Sequence, residues 1–303
     1  MNTKKEFGFY PHPLCIEEGP ITVSPLSDLE QSAKDVLACN SVEKDWFYAP
    51  HQQISEVMSG KVRDLPYSSR VFGLPKTHWI EHDAATGENH LDFILWVLSF
   101  FVGMRLTPDE AGFLDATPLK PGKLVGFILL GSSHSHAVRL ADDFWLENIN
   151  DPRRAQRFVA AVHALFLSQN PQLLQFERFV YLYMAIDACY SLAASLFPPQ
   201  KTCRHYRRIE WMCNQFNVVT PAWANPAAPG GVKVSAIRNN TIHEALYMGG
   251  PLGFEIYTEC NLVLQMQALV CRLLVALIGG IGLAYVRSPV TDRQIQGLDL
   301  KGI

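Results

Sequence analysis

From Asp151 onward the chain is written in helical period, and that run constrains the fold more than any other feature. Asn150-Asp151-Pro152 is a helix start, with aspartate as cap and proline at the first helical position, where its missing N–H costs nothing. Residues 153–168 then place Phe158, Val159, Val162, Leu165 and Phe166 on one face. A longer helix is expected over 173–197, ending at Pro198-Pro199, and a third over 202–216. Beyond a loop rich in proline, alanine and glycine (221–231), helices are expected over 232–247 and 255–278, the last halted by Gly279, Gly280 and Gly282. A helix with one apolar face must bury it against another, so five of them predict a helical bundle.

The first half reads differently. Prolines at 11, 13 and 25 break short strand-like stretches (7–16 and 21–23), and further pieces follow at 45–48, 70–74 and 78–82. Helices are expected over 27–38 and 91–106, and 123–130 (KLVGFILL) reads as a buried strand between Pro121-Gly122 and Gly131-Ser132. The expected organisation is therefore an α+β module over residues 1–145, followed by an all-α helical bundle over 146–303.

Composition sets the class. With 48% apolar and 18% charged residues the chain is a globular protein and not a disordered one. MNTKKEFGFYPHP lacks the apolar core of a signal peptide. The apolar run 93–104 is too short for a membrane span, while 262–286 is interrupted by Gln265, Gln267 and Arg272. Seven cysteines form no CxxC pair, which fits a reduced, cytoplasmic protein with no membrane partner. Charge is divided unequally: residues 151–303 hold 14 Lys+Arg against 9 Asp+Glu, and residues 1–150 hold 12 against 20. The basic half suits a polyanion, and the acidic half suits a regulatory partner or trigger, or a shield for the basic groove.

Within the basic half, Arg238-Asn239-Asn240-Thr241-Ile242-His243 carries the chemistry. A histidine can move a proton near neutral pH, and a guanidinium holds a phosphate as its charge grows. If the segment is helical from Arg238, a step of four puts Asn239 and His243 on one face, with Arg238 one residue back.

The bundle and this run together resemble the HEPN superfamily. Its ribonuclease members carry an arginine, usually a polar residue after it, then a histidine four to six positions further, as Arg238, Asn239 and His243 do. Residues 177–187 (ERFVYLYMAID) look like the long second helix of that family, with Asp187 as its mid-helix acid. The resemblance covers about residues 151–285, and a β-containing module ahead of such a bundle is similar to the ApeA-like defence proteins. It implies a homodimer in which two motifs meet across a two-fold axis, acting as a metal-independent endoribonuclease in antiphage defence or toxin activity, with no cofactor. The 2′-hydroxyl would attack the adjacent phosphorus, leaving a 2′,3′-cyclic phosphate and a 5′-hydroxyl. His243 would move the proton, Arg238 would stabilise the charge, and Asn239 would orient either the histidine or a phosphate oxygen. The alternatives are a non-catalytic HEPN interaction or nucleotide-binding protein, and the toxin half of a nucleotidyltransferase-paired system.

Other residues are weighed against plainer readings. Lys201, Arg204, His205, Arg207 and Arg208 are candidate RNA contacts beside a solvated-face reading, with Tyr206 and Trp211 as stacking candidates. Arg153, Arg154 and Arg157 form a weaker strip. Asp187, set among apolar residues, needs a cationic partner: Arg238 or His243, which would make it an orienting group, or another bundle arginine. His78, His82, Asp83 and His90 have metal-ligand chemistry but no recognised motif, so no metal is assigned. Ser132-Ser133-His134-Ser135-His136 reads as a polar turn or hairpin, and Gly249-Gly250-Pro251-Leu252-Gly253 as a turn after the motif helix.

Overall fold

The computed structural model describes residues 3–87, 89–131, 133–201, 203–244, 246, 262–290 and 296–301. The protein is a mixed α/β chain with several helices and several small sheets. It divides into two compact units, and the division is not a single cut: residues 1–124 join 134–142, while 125–133 join 143–303. Described helices are α1 (Leu29–Leu37), α2 (Asn89–Val102), α3 (Ser133–Glu147), α4 (Pro152–Ser168), α5 (Gln175–Leu196), α6 (Arg208–Phe216), α7 (Lys233–Arg238), α8 (Leu262–Leu277) and α9 (Ala284–Arg287).

The first unit is built on an antiparallel sheet of four strands in the order Thr3–Phe7, His78–His82, Ile21–Pro25, Ile16–Glu18. Side chains alternate across a strand, so His78, Ile80 and His82 share one face and are buried there with Phe7, Ile21 and Val23. Helix α2 packs against the His78–His82 strand. It is apolar on nearly every side and almost wholly buried, as a core helix must be. Phe47, Phe72 and Phe113 stack with centroids 5.3 and 5.7 Å apart, tying the short strands Trp46–Tyr48, Val71–Phe72 and Phe113–Leu114 together. A hairpin of His51–Ser55 and Val62–Ser68 stands almost wholly exposed, with Val57 and Met58 at its tip entirely in solvent.

In the second unit α4, α5, α6 and α8 pack on one another. Phe158, Leu165, Leu182, Ile186, Phe216 and Leu273 are each fully buried, worth about 1.5–3 kcal/mol apiece relative to exposure. Pro152 begins α4 as expected, but Asp151 makes no side-chain cap; its carboxylate lies 3.3 Å from Arg154 instead. Glu177 accepts the Leu174 N–H at 2.8 Å and so closes the first turn of α5. Asn217, in the left-handed region at φ 55°, ends α6. Among the described helices α5 is long and apolar enough to cross a membrane, whereas α2 and α8, which hold the two apolar runs, are shorter.

The structure corrects several expectations. The 123–130 strand shrinks to Phe127–Leu129, with Ile128 and Leu130 about half exposed, and it pairs in parallel with Gln296–Leu298. Ser133–His136 is not a turn or hairpin but the first turn of α3, whose Ala137, Val138, Ala141 and Phe144 recur at helical spacing and are buried. The expected 232–247 helix ends as α-helix at Arg238. Residues 249–253, and the 255–261 start of the last expected helix, lie outside the described residues.

Candidate functional site

Helix α7 starts where the loop ahead of it turns sharply: a Cβ on Gly231 would fall 1.5 Å from the Asn225 carbonyl oxygen, so only glycine fits there. After Arg238 the backbone winds wider, and Asn239–His243 is a π-helical turn with Glu244 N–H donating to Asn239 C=O at 3.1 Å. Such i→i+5 turns often mark functional sites. The wider turn changes which side chains meet. Arg238 and His243, five apart, face each other, and the Arg238 Nη1–H donates to His243 Nε2. The same nitrogen lies 3.1 Å from Asn239 Oδ1. The expected α-helical step from Asn239 to His243 is replaced by a step of five from Arg238. Arg238 is half-buried, while Asn239 and His243 are exposed.

Helix α5 supplies the surroundings. Tyr183, Asp187 and Tyr190 fall at i, i+4 and i+7 on one face. The Arg238 guanidinium lies 5.8 Å from the Tyr183 ring centroid. Asp187 takes a hydrogen bond from Arg208 Nη1 at 3.0 Å, and the Arg208 guanidinium lies 4.5 Å over Tyr190, itself edge-on to Trp211. The partner of Asp187 is thus the bundle arginine, and not Arg238 or His243. Sequence reading missed both tyrosines, although their spacing with Asp187 in an apolar helix was a usable signal.

A short 3₁₀ turn, His205–Arg207, packs against α6 and α7. Partial desolvation, then the positive charges of Arg208 and Arg238, hold His205 below the usual imidazole range; Asp187 opposes this and His243 adds to it. His205 therefore shares one charged neighbourhood with the motif. Of the candidate RNA contacts, Arg204, His205 and Arg207 are exposed, and Arg208 is committed to Asp187. Trp211 is likewise engaged, with Tyr190. In the weaker strip, Arg154 donates to Asn148 and the Ser195 carbonyl and Arg157 to the Ser191 carbonyl, so these two clamp α4 to α5.

In the first unit His82, His90 and Asp142 converge, with their ligand atoms all within 4.8 Å. Of the set His78, His82, Asp83 and His90, only His82 and His90 meet, and the group between them is Asp142 of α3. His78 instead accepts the Leu14 N–H, and Asp83 is exposed. The composition is that of a metal site, but the proton arrangement is not. The Ala84 N–H donates to His82 Nδ1 at 3.0 Å and the Thr86 N–H to His90 Nδ1 at 3.3 Å. Each neutral ring must then carry its proton on Nε2; His82 Nε2–H donates to Asp142 Oδ1 at 3.0 Å, and His90 Nε2 lies 2.8 Å from the same oxygen. A cation there would have to displace both protons while both Nδ1 lone pairs stay engaged, leaving imidazolates. These residues do not fit a metal. Burial raises the Asp142 pKa, but the hydrogen bonds from His90 and His82 outweigh it and hold the carboxyl low. Ser133 Oγ lies 3.2 Å from Asp299 and accepts the Leu300 N–H, which makes it a structural hydroxyl.

Compared with known families, curated proteins and solved structures, the chain matches no family model, no protein and no structure.

Proposed function

We propose that this chain is a metal-independent endoribonuclease of the HEPN type. It would act as a cytoplasmic homodimer in antiphage defence or toxin activity, cutting RNA to leave 2′,3′-cyclic phosphate and 5′-hydroxyl ends. The observation that carries this reading is the meeting of the Arg238 guanidinium, the Asn239 amide and the His243 imidazole at one solvent-reachable spot. Arg238 holds the phosphate and stabilises the charge that grows on it, His243 moves a proton, and Asn239 orients the arginine it touches. The mixed packing of α4, α5, α6 and α8 suits the HEPN bundle. Helix α5 is mostly apolar, yet its Met184, like Leu174 just ahead of it, is about half exposed, which suits burial against a second copy. The six described cysteines are free, in keeping with a reducing compartment. The exposed Val57-Met58 hairpin tip is a candidate contact for a trigger or regulatory partner.

The test is purified protein incubated with total RNA in EDTA, with end-group analysis. The expected outcome is cyclic-phosphate ends from the wild type, a loss of about 10²–10³ in kcat for Arg238→Ala, and about 10²–10⁴ for His243→Ala. Matched DNA, lacking the 2′-hydroxyl, is expected to survive. Unchanged cleavage in His243→Ala, or cleavage abolished by the chelator, would overturn the mechanism. The rival non-catalytic reading predicts no cleavage by any of these proteins.

A further inference from the structure

In the first unit His82, His90 and Asp142 form a group at 2%, 0% and 7% exposure. With both rings neutral, as their backbone N–H contacts require, the group carries one net negative charge, that of Asp142. Among the described residues no lysine or arginine pairs with that carboxylate; its ion partners are the two histidines, at 3.0 and 2.8 Å. The cation on the same sheet face, Lys5 opposite Ile80, is taken by Asp92 of α2 at 2.7 Å. Across the sheet His82 lies opposite Thr3 and Ile21, neither of them acidic or basic, and Asp83, next along the chain, is exposed. A buried charge without a counter-charge is costly, so a proton added here is favoured because it cancels the charge. Both Nε2 positions already hold protons. The newcomer has to bind at an Nδ1, and each Nδ1 is held by a backbone N–H of the turn between the His78–His82 strand and α2.

The two rings are not equal in this. His82 Nδ1 meets the Ala84 N–H at 3.0 Å. His90 Nδ1 meets the Thr86 N–H at a longer 3.3 Å and has the Thr86 hydroxyl 3.5 Å away. A hydroxyl can turn from donor to acceptor, so a proton on His90 Nδ1 finds an acceptor, whereas one on His82 Nδ1 faces the Ala84 N–H. His90 Nε2 is also the nearer of the two to Asp142 Oδ1. We propose that His90 is a proton-binding site with Asp142 as its counter-charge, and that binding the proton frees the Thr86 backbone and loosens the turn 83–87. The proton comes from solvent and forms an N–H bond at Nδ1, while the Thr86 N–H loses its acceptor; no other bond is made or broken. The first unit then has two arrangements, one latched with a buried negative charge and one released with the charge cancelled. Helix α2 starts at Asn89, directly after the turn, so its first residues feel the change. The site is independent of the ribonuclease reading, since all three residues belong to the first unit.

The experiment follows the full chain, with nitrogen-labelled histidines, by NMR from about pH 8 to about pH 5, the range in which histidines titrate. Amide exchange at Ala84 and Thr86, corrected for the intrinsic effect of pH, is measured beside it. At the upper limit both rings are expected in the Nε2–H form. As pH falls, His90 is expected to gain its Nδ1 proton before His82 does. The Thr86 amide is then expected to exchange about fivefold faster, the worth of one backbone hydrogen bond, while Ala84 keeps its protection. His78, whose pKa burial lowers to about 4, stays neutral through this window. Asp142→Asn is expected to move His90 uptake to lower pH. Where that variant does not fold, Thr86→Val at an exposed position makes the same test, since it removes the receiving hydroxyl and is expected to move uptake the same way. The proposal fails if His90 stays neutral throughout, if His82 takes the proton first, or if His90 titrates while Thr86 exchange is unchanged. Unaltered uptake in Asp142→Asn, or in Thr86→Val where the first does not fold, would also overturn it.

Discussion

Arg238 uses one nitrogen to touch both Asn239 and His243 and turns its guanidinium toward Tyr183. Asp187 shows how a neighbour decides a role: its identity and apolar surroundings called for a cation, but Arg238, His243 and other bundle arginines lay in the same unit, and distance selected Arg208. Asp142 is the opposite case, since nothing near it in sequence foretold two histidines from other elements. The cysteines give a plain test at this scale. Burial pushes the Cys213 thiol up to about 12 and the Cys271 thiol to about 11, and raises Cys189 as well. The thiolate is the reacting form. Cys15 and Cys39, both exposed, are therefore expected to label quickly with a maleimide in the native protein, while Cys189, Cys213 and Cys271 label only after denaturation. Mass mapping of the labelled peptides checks this, and native labelling of Cys271 would contradict the burial.

Among the elements, the π turn matters most because it converts a spacing of five into a contact. An α-helix advances about 100° per residue, so five residues would leave Arg238 and His243 well apart around the axis, whereas four would align them. Inserting one alanine between Asn240 and Thr241 is therefore expected to abolish cleavage as fully as His243→Ala, with the circular dichroism unchanged. Deleting Asn240 restores alignment in ordinary α-helical winding and is expected to keep more activity than the insertion. Equal activity of the two would show that the turn does not align the pair. The His205–Arg207 turn is testable by salt. If Arg204 and Arg207 meet phosphates, replacing either with alanine is expected to flatten the slope of log affinity against log salt by about 0.7 for single-stranded RNA; an unchanged slope would leave them as solvated charges. Element positions were readable where period and punctuation agreed, as in α4 with Pro152 at its start. They were misread at α3, where Ser-His-Ser-His looked like a turn and hid the buried Ala137, Val138, Ala141 and Phe144 behind it.

At the scale of the whole molecule, buried histidines make the first unit sensitive to acid. His78 is fully buried, stacked on Phe7 at 5.5 Å and accepting the Leu14 N–H, and burial lowers its pKa to about 4. Burial lowers His134 of the same unit too. The unfolded chain takes up a proton at such a histidine near pH 6.5, but the folded unit takes one at His78 only near pH 4. Between those values the unfolded state binds more protons, so stability is intact above pH 6.5 and falls as pH falls. For His78 the loss amounts to about 3 kcal/mol by pH 4. Thermal melts from pH 7.5 to 4 are expected to show it, and His78→Gln, which keeps an acceptor for Leu14, is expected to flatten the profile; an unaltered acid slope in that variant would clear His78.

The order of residues by itself determined that a mixed first part precedes helices, where α4 and α5 begin and end, and which arginine, amide and histidine belong to one short run. These are local matters, set by apolar period, by proline's locked φ and by spacing along the backbone. Only the tertiary structure decided that the run winds as a π turn, that Asp187 binds Arg208, and that Asp142 gathers His82 and His90. Each of these depends on which distant side chains meet once the apolar faces are buried, and that is a property of packing in three dimensions, which the spacing of residues along one chain does not encode.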